Sequence, residues 1–218
     1  MSPLHKESTG NLIFVPALIT LALTLLRLTG ELLNWSPVFF NKSAGGGGAL
    51  IGISWLVPFI GFYFAWRLHQ AGTVPAGLGR LFGFAVLGLA VYAGVFMLAL
   101  AVAKGNVWLV STLGVVGAAA GLFVLRQAWP ALFTSLFAYG LAARVPVVII
   151  MFLAIMGNWG THYDVAPPNF PAGMATFPKW VVIGLVPQLT FWMVYTVAIG
   201  LIFGGLAVLV AKRRPALA

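Results

Sequence analysis

Apolar stretches of bilayer-crossing length take up almost the whole of this sequence, and little in it could face water. Only 7% of the residues are charged and 61% are hydrophobic, whereas an ordinary soluble domain carries about 25% charged residues. So few charges cannot cover a water-facing surface, so lipid has to be the solvent for most of the chain. A bilayer-crossing helix needs about 20 mainly apolar residues. Six stretches meet that need: residues 12–33, 49–68, 81–103, 107–125, 131–156 and 180–210. With their connections they account for nearly the whole chain. The expected fold is an all-α integral membrane protein, a six-helix transmembrane bundle forming one domain.

Orientation follows from where lysine and arginine fall, because cytoplasmic loops carry an excess of both. With the N-terminus inside, the inner side holds Lys6, Arg67, Arg80, Arg126, Lys212, Arg213 and Arg214. The outer side holds Lys42, Lys104 and Lys179, with Arg27 near that boundary. The bias places both termini in the cytoplasm, in a plasma (inner) membrane. Trp35, Trp66, Trp108, Trp129, Trp159 and Trp180 fall near the predicted helix ends, at the headgroup level an indole prefers. The first apolar run ends in Arg27-Leu28-Thr29-Gly30-Glu31 without a small-residue cleavage site, so it reads as a retained helix rather than a signal peptide. The inner loops are short, and two outer segments are long, residues 30–48 and 157–179. Long loops in a compact protein are usually functional or disordered. The aromatic and proline residues of the second predict an ordered segment over the outer mouth of the bundle.

The net charge of +9 does not mark a nucleic-acid binder. The basic residues are spread one or two per loop, with no basic face or interleaved aromatic motif. The expected surroundings are the lipid bilayer, with other membrane subunits as candidate partners. No cysteine is present, which removes disulfides, thiolate metal sites and iron–sulfur clusters. Four glycine pairs have GxxxG spacing, Gly48/Gly52, Gly79/Gly83, Gly117/Gly121 and Gly200/Gly204. In so glycine-rich a chain this spacing points to close helix packing rather than to a dimer.

Arg144 is the most informative residue. It lies near the middle of the fifth stretch, and a central arginine costs about 2.5–3.5 kcal/mol to insert. Two residues on, Pro146 removes a backbone donor and frees the carbonyl of Ala142. A charge beside a kink suggests a polar cavity with an anion-binding or gating arginine. The alternative is an arginine tied to kinked backbone or to Glu31. Arg27 and Glu31 have the i, i+4 spacing of a helix-face pair. Glu31 is thus either a local partner of Arg27 or an inward-facing partner of Arg144. His162 and Asp164 form a His–acid grouping, spaced to point the same way from an extended segment. With Glu31 as a third ligand they could hold a metal, and otherwise they belong to an ordered turn. Pro58, Pro146 and Pro187 are expected to interrupt the second, fifth and sixth helices, with Gln188 and Thr190 as partners for freed backbone groups. Gly45 to Gly48 are expected to precede the second helix as a flexible turn.

The sequence has no G-x-S-x-G, H-E-x-x-H, P-loop or dinucleotide fingerprint, and its histidines lie at or outside the helix ends, so no cofactor is expected. Two functions follow. One is a non-enzymatic bundle, either an accessory subunit of a larger membrane complex or a small transport component, with an outward-facing polar cavity around Arg144. The other is a membrane-embedded enzyme with an outer-face site of Glu31, Arg144, His162 and Asp164 acting on a lipid or anionic substrate. The first is preferred, because acid–base or metal catalysis needs several convergent polar groups, and this chain offers few.

Overall fold

A computed structural model describes residues 8–168 and 170–213. His5, Lys6, Glu7 and Arg214 lie outside the described residues, as does the side chain of Arg213. The regular elements among the described residues are all helical. They are α1 (Thr9–Leu32), α2 (Leu56–Gln70), α3 (Leu78–Ala103), α4 (Val107–Arg126), α5 (Pro130–Gly157), α6 (Thr176–Trp180), α7 (Val186–Leu189) and α8 (Phe191–Arg213). A π-helical turn, Val181–Leu185, joins α6 to α7, so α6 to α8 form one interrupted rod. Five of these segments, α1, α3, α4, α5 and the α6–α8 rod, are long and apolar enough to cross a membrane. That is the make-up of a polytopic membrane protein.

The helix boundaries have local causes. Ser8 caps α1, its hydroxyl accepting from the Asn11 amide at 3.2 Å. Asn106 caps α4 by accepting from the amides of Trp108 and Leu109. Both supply acceptors to amides that have no intrahelical partner. α5 opens on Pro130, whose missing N–H would have been unpaired there in any case. Lys104 and Asn158, just past α3 and α5, take left-handed backbone conformations that stop those helices.

The second helix departs from the sequence expectation. It starts at Leu56, seven residues after Ala49. Residues 49–55 are non-helical and pair back on the preceding loop, Leu50 N donating to Val38 O and Ile51 N to Phe39 O. Apolar composition marked this segment as membrane-compatible, but glycine and β-branched residues do not favour helix. Pro58 therefore does not interrupt the helix. It sits in the first turn, where a missing N–H costs no hydrogen bond. At about 1.5 Å per residue α2 is about 22 Å long, shorter than a bilayer core of about 30 Å. Gly45 to Gly48 form a short 3-10 turn and its exit, well before α2 rather than at its N-terminus.

The sixth segment begins at Thr176 rather than Trp180 and is interrupted as expected. The break falls at Thr190, whose backbone is non-helical (φ −116°, ψ −84°). Its hydroxyl donates to Val186 O at 2.7 Å and its amide donates to the same carbonyl at 3.0 Å.

Side-chain contacts fix how the helices run. Thr20 on α1 meets Tyr139 on α5 at 2.7 Å, and Glu31 meets the segment after α5, so α1 and α5 run parallel. Arg80 at the start of α3 donates to Gln127 O just past α4, so that pair is antiparallel. α2 and α8 are parallel. A Cβ on Gly61 would lie 2.5 Å from the backbone of Gly200, and one on Gly204 would lie 3.0 Å from Ala65. Only glycine permits that approach of two backbones. Two ends result. One carries the short turns around Ala76 and Gln127. The other carries Glu31, Lys104 and the long loops 33–55 and 158–175. The α6–α8 rod and α5 bury half or more of their apolar windows, whereas α1, α3 and α4 bury under a third. The first two are the centre of the bundle. Phe64, packed edge-on to Tyr139, and Leu136, under Gly200, fill the core between them. Of the GxxxG pairs, Gly117/Gly121 and Gly200/Gly204 do pack closely on neighbouring helices, while a Cβ on Gly79 or Gly83 would meet nothing.

Candidate functional site

Two polar clusters sit inside this bundle, one at the loop end and one deep in it, and a cavity links them. The loop-end cluster is built on Glu31, which is fully buried. One of its oxygens, Oε1, accepts from Arg27 Nε at 2.9 Å and lies 2.5 Å from His162 Nδ1. The other, Oε2, accepts from the His162 amide at 2.8 Å. Arg27 also donates to Asn41 O at 3.1 Å and Gly46 O at 2.8 Å. One carboxylate and one guanidinium thus tie both long loops to the end of α1. The next residue, Tyr163, is buried, and its hydroxyl donates to Thr24 O. Burial pushes the His162 imidazole below its usual value, partly opposed by the hydrogen bond to Glu31. Burial pushes the Tyr163 phenol up.

This geometry settles three expectations about placement. Glu31 pairs with Arg27 and not with Arg144, because the i, i+4 spacing brings the first pair together at no cost in chain conformation. His162 and Asp164 are not hydrogen-bonded to each other. Asp164 turns back on its own loop, accepting from the Gly160 amide (2.9 Å), the Thr161 amide (2.7 Å) and the Thr161 hydroxyl (2.8 Å). Among the described residues no group of three or more His, Asp or Glu side chains could hold a metal ion. Glu31 and His162 meet at the loop end, Asp164 holds its own turn, and Arg144 lies deep in the bundle.

The deep cluster surrounds Arg144, near the middle of α5 and 4% exposed. Its Nη1 donates to Gln188 Oε1 at 3.3 Å, and its guanidinium lies over the Trp192 ring at 4.6 Å. Nε is buried without a partner. Gln188 and Trp192 are four residues apart, the spacing that sets two side chains on one side of a helical rod. The rod thereby presents Gln188 from α7 and Trp192 from α8 to the same guanidinium. The side-chain amide of Gln188 is held from behind by Met151 Sδ at 3.7 Å. Among the described residues no carboxylate neutralises Arg144.

Above Arg144 lies a cavity of about 800 Å³. Arg144, Val147 and Met151 share one face of α5 and line it from the floor upward. Its far end is lined by Gly45, Gly105, Pro167 and Phe170 from the loops. Gly157 ends α5 thirteen residues beyond Arg144, or about 20 Å at about 1.5 Å per residue, so the cavity spans the loop-end half of the bundle. It links the two clusters, because Arg27 and His162 also line it. Trp192 escaped the sequence reading. The available signal was a tryptophan in the interior of an apolar run, away from the headgroup level where the others sit. The roles of Gly46 and Asn41 carried no signal, since both act through backbone carbonyls.

The chain matches no protein-family model, and neither a curated protein nor a solved structure matches it.

Proposed function

We propose that this chain is a non-enzymatic, ligand-binding membrane protein that crosses the bilayer six times, either a small transport component or the binding subunit of a larger membrane complex. Its site is the cavity floored by Arg144, opening to the outside, with both termini in the cytoplasm. The observation that carries this reading is a buried guanidinium without a carboxylate, at the end of a cavity large enough for a ligand. A buried charge persists at such a position only if something offsets its desolvation. Gln188 and Trp192 offset part of it, and an anionic ligand would supply the rest. Pockets of about 300–1,000 Å³ with a few convergent polar groups are the usual form of a small-molecule site.

Six crossings follow if α2 counts as one. It runs parallel to α8 and between two antiparallel neighbours in sequence, and the non-helical residues before it are covered in part by the loop of 33–46. Irregular backbone at membrane depth is tolerated where protein buries it or a cavity borders it, and Gly52, Ile53 and Ser54 do line the cavity. The short turns collect Arg67, Arg80 and Arg126 at one end, which the positive-inside rule places in the cytoplasm.

The test is purification from native membranes in mild detergent, followed by anion-binding measurements on the isolated chain. A transport component binds its anion alone. A subunit arrives with partners and loses thermal stability when stripped of them. A chain that arrives alone, and binds no anion in either wild-type or Arg144→Gln form, contradicts the reading.

A further inference from the structure

The chemistry of the cavity narrows the ligand beyond its charge. Arg144 makes one hydrogen bond among the described residues, and its acceptor, the Gln188 amide oxygen, is neutral. Nε and Nη2 lie along the same edge of a guanidinium, the fork that takes a carboxylate with two parallel N–H···O bonds. Nε has no partner among the described residues, and the guanidinium's one hydrogen bond to them is made by Nη1. Trp192 covers a face of the guanidinium, and Arg144 lines the cavity. The other basic groups on the lining, Arg27 and His162, are engaged with Glu31 at the far end. One unmatched positive charge therefore faces the floor. A doubly charged phosphate head would bring a second charge into a buried place with nothing to pair it, which is costly.

Between floor and mouth the walls are hydrocarbon: Leu23, Phe96, Val110, Val147, Met151 and Ile183 all line the cavity. A small hydrophilic anion would leave these side chains facing empty or wet space, whereas an apolar body would cover them at about 25 cal/mol per Å² removed from water. The lining runs from Arg144 in the middle of α5 to Gly45, Gly105 and Pro167 in the loops, so a ligand anchored on Arg144 fills the cavity only by reaching along these walls.

Resting on the function proposed above, we infer that the ligand is a monocarboxylate amphiphile with a long hydrocarbon body, seated with its carboxylate on the Arg144 guanidinium and its tail along the apolar walls toward the loops. Gly114, in the α4 wall, gives an independent handle. A Cβ there would meet nothing within 4 Å, so Gly114→Phe projects a ring into the cavity without displacing the helix.

The experiment titrates the full chain in nanodiscs of zwitterionic lipid with palmitate, palmitate methyl ester and benzoate, following tryptophan fluorescence and thermal stability. Palmitate should bind saturably, with the methyl ester at least about tenfold weaker. Arg144→Gln should lower palmitate affinity by about tenfold or more and leave the ester unchanged. Gly114→Phe should abolish palmitate binding, and serves if Arg144→Gln fails to fold. Equal affinity for acid and ester, or palmitate binding that survives both substitutions, overturns the inference. Benzoate binding as tightly as palmitate also overturns it, while leaving the anion-binding function intact. Failure of every anion sinks both.

Discussion

Arg27, Glu31 and His162 act as one unit, since the carboxylate sits between the other two and accepts from both. Glu31→Gln removes the charge that offsets buried Arg27, and should destabilise the protein by about 3 kcal/mol, read as a lowered melting temperature in detergent. His162 makes the same unit pH-sensitive. Its folded-state value is pushed below the ordinary 6.5 by burial, against the opposing pull of Glu31 and Asp164 and with the aid of Arg27. The unfolded chain therefore binds more protons in the window below 6.5, and stability must fall as pH is lowered through it. Melting temperatures at pH 7 and pH 5 should show that loss in the wild type and a smaller one in His162→Gln. An equal loss in both would assign the acid sensitivity elsewhere. Arg144 was legible in the sequence because a charge inside an apolar run has no ordinary explanation. The partner of Glu31 was legible only in part. The i, i+4 spacing pointed to Arg27, but the contact with His162 spans 131 positions and depends on how a long loop folds back.

At the level of elements, the seam between α2 and α8 is the most demanding contact, because Gly61 and Gly200 bring two backbones together. Gly61→Ala would press a methyl group to 2.5 Å from that backbone and should cost about 2 kcal/mol. Gly79→Ala on α3 meets nothing within 4 Å and should be neutral or stabilising by up to about 1 kcal/mol. Thermal denaturation of the two variants in the same detergent separates them. If Gly61→Ala melted like Gly79→Ala, the parallel packing of α2 on α8 would be wrong. Hydropathy located the long helices to within a few residues because their ends coincide with caps, glycines and basic residues. It misplaced the start of α2 because it registers apolar content and not backbone hydrogen bonding. Residues 49–55 are apolar but pair with a loop. The better signal was Pro58, which is at home in a first turn and costly in a helix interior.

For the whole molecule, the number of crossings turns on α2 alone, since five other segments are long and apolar enough without it. The absence of cysteine makes single-cysteine labelling clean. Ser43→Cys precedes α2 and Ala76→Cys follows it, and both positions are exposed. With six crossings, a membrane-impermeant maleimide should label Ser43→Cys and Lys104→Cys from one side and Ala76→Cys only from the other. Labelling of Ser43→Cys and Ala76→Cys from the same side would mean that α2 does not cross. The central claim is that Arg144 is kept for a ligand and not for the fold, and Arg144→Leu in detergent without added ligand tests it most directly. A buried charge lacking a carboxylate is a burden on the empty protein. The account therefore predicts a melting temperature equal to or above that of the wild type, together with loss of carboxylate binding. A marked fall in melting temperature, with no difference in binding between the two proteins, would contradict it.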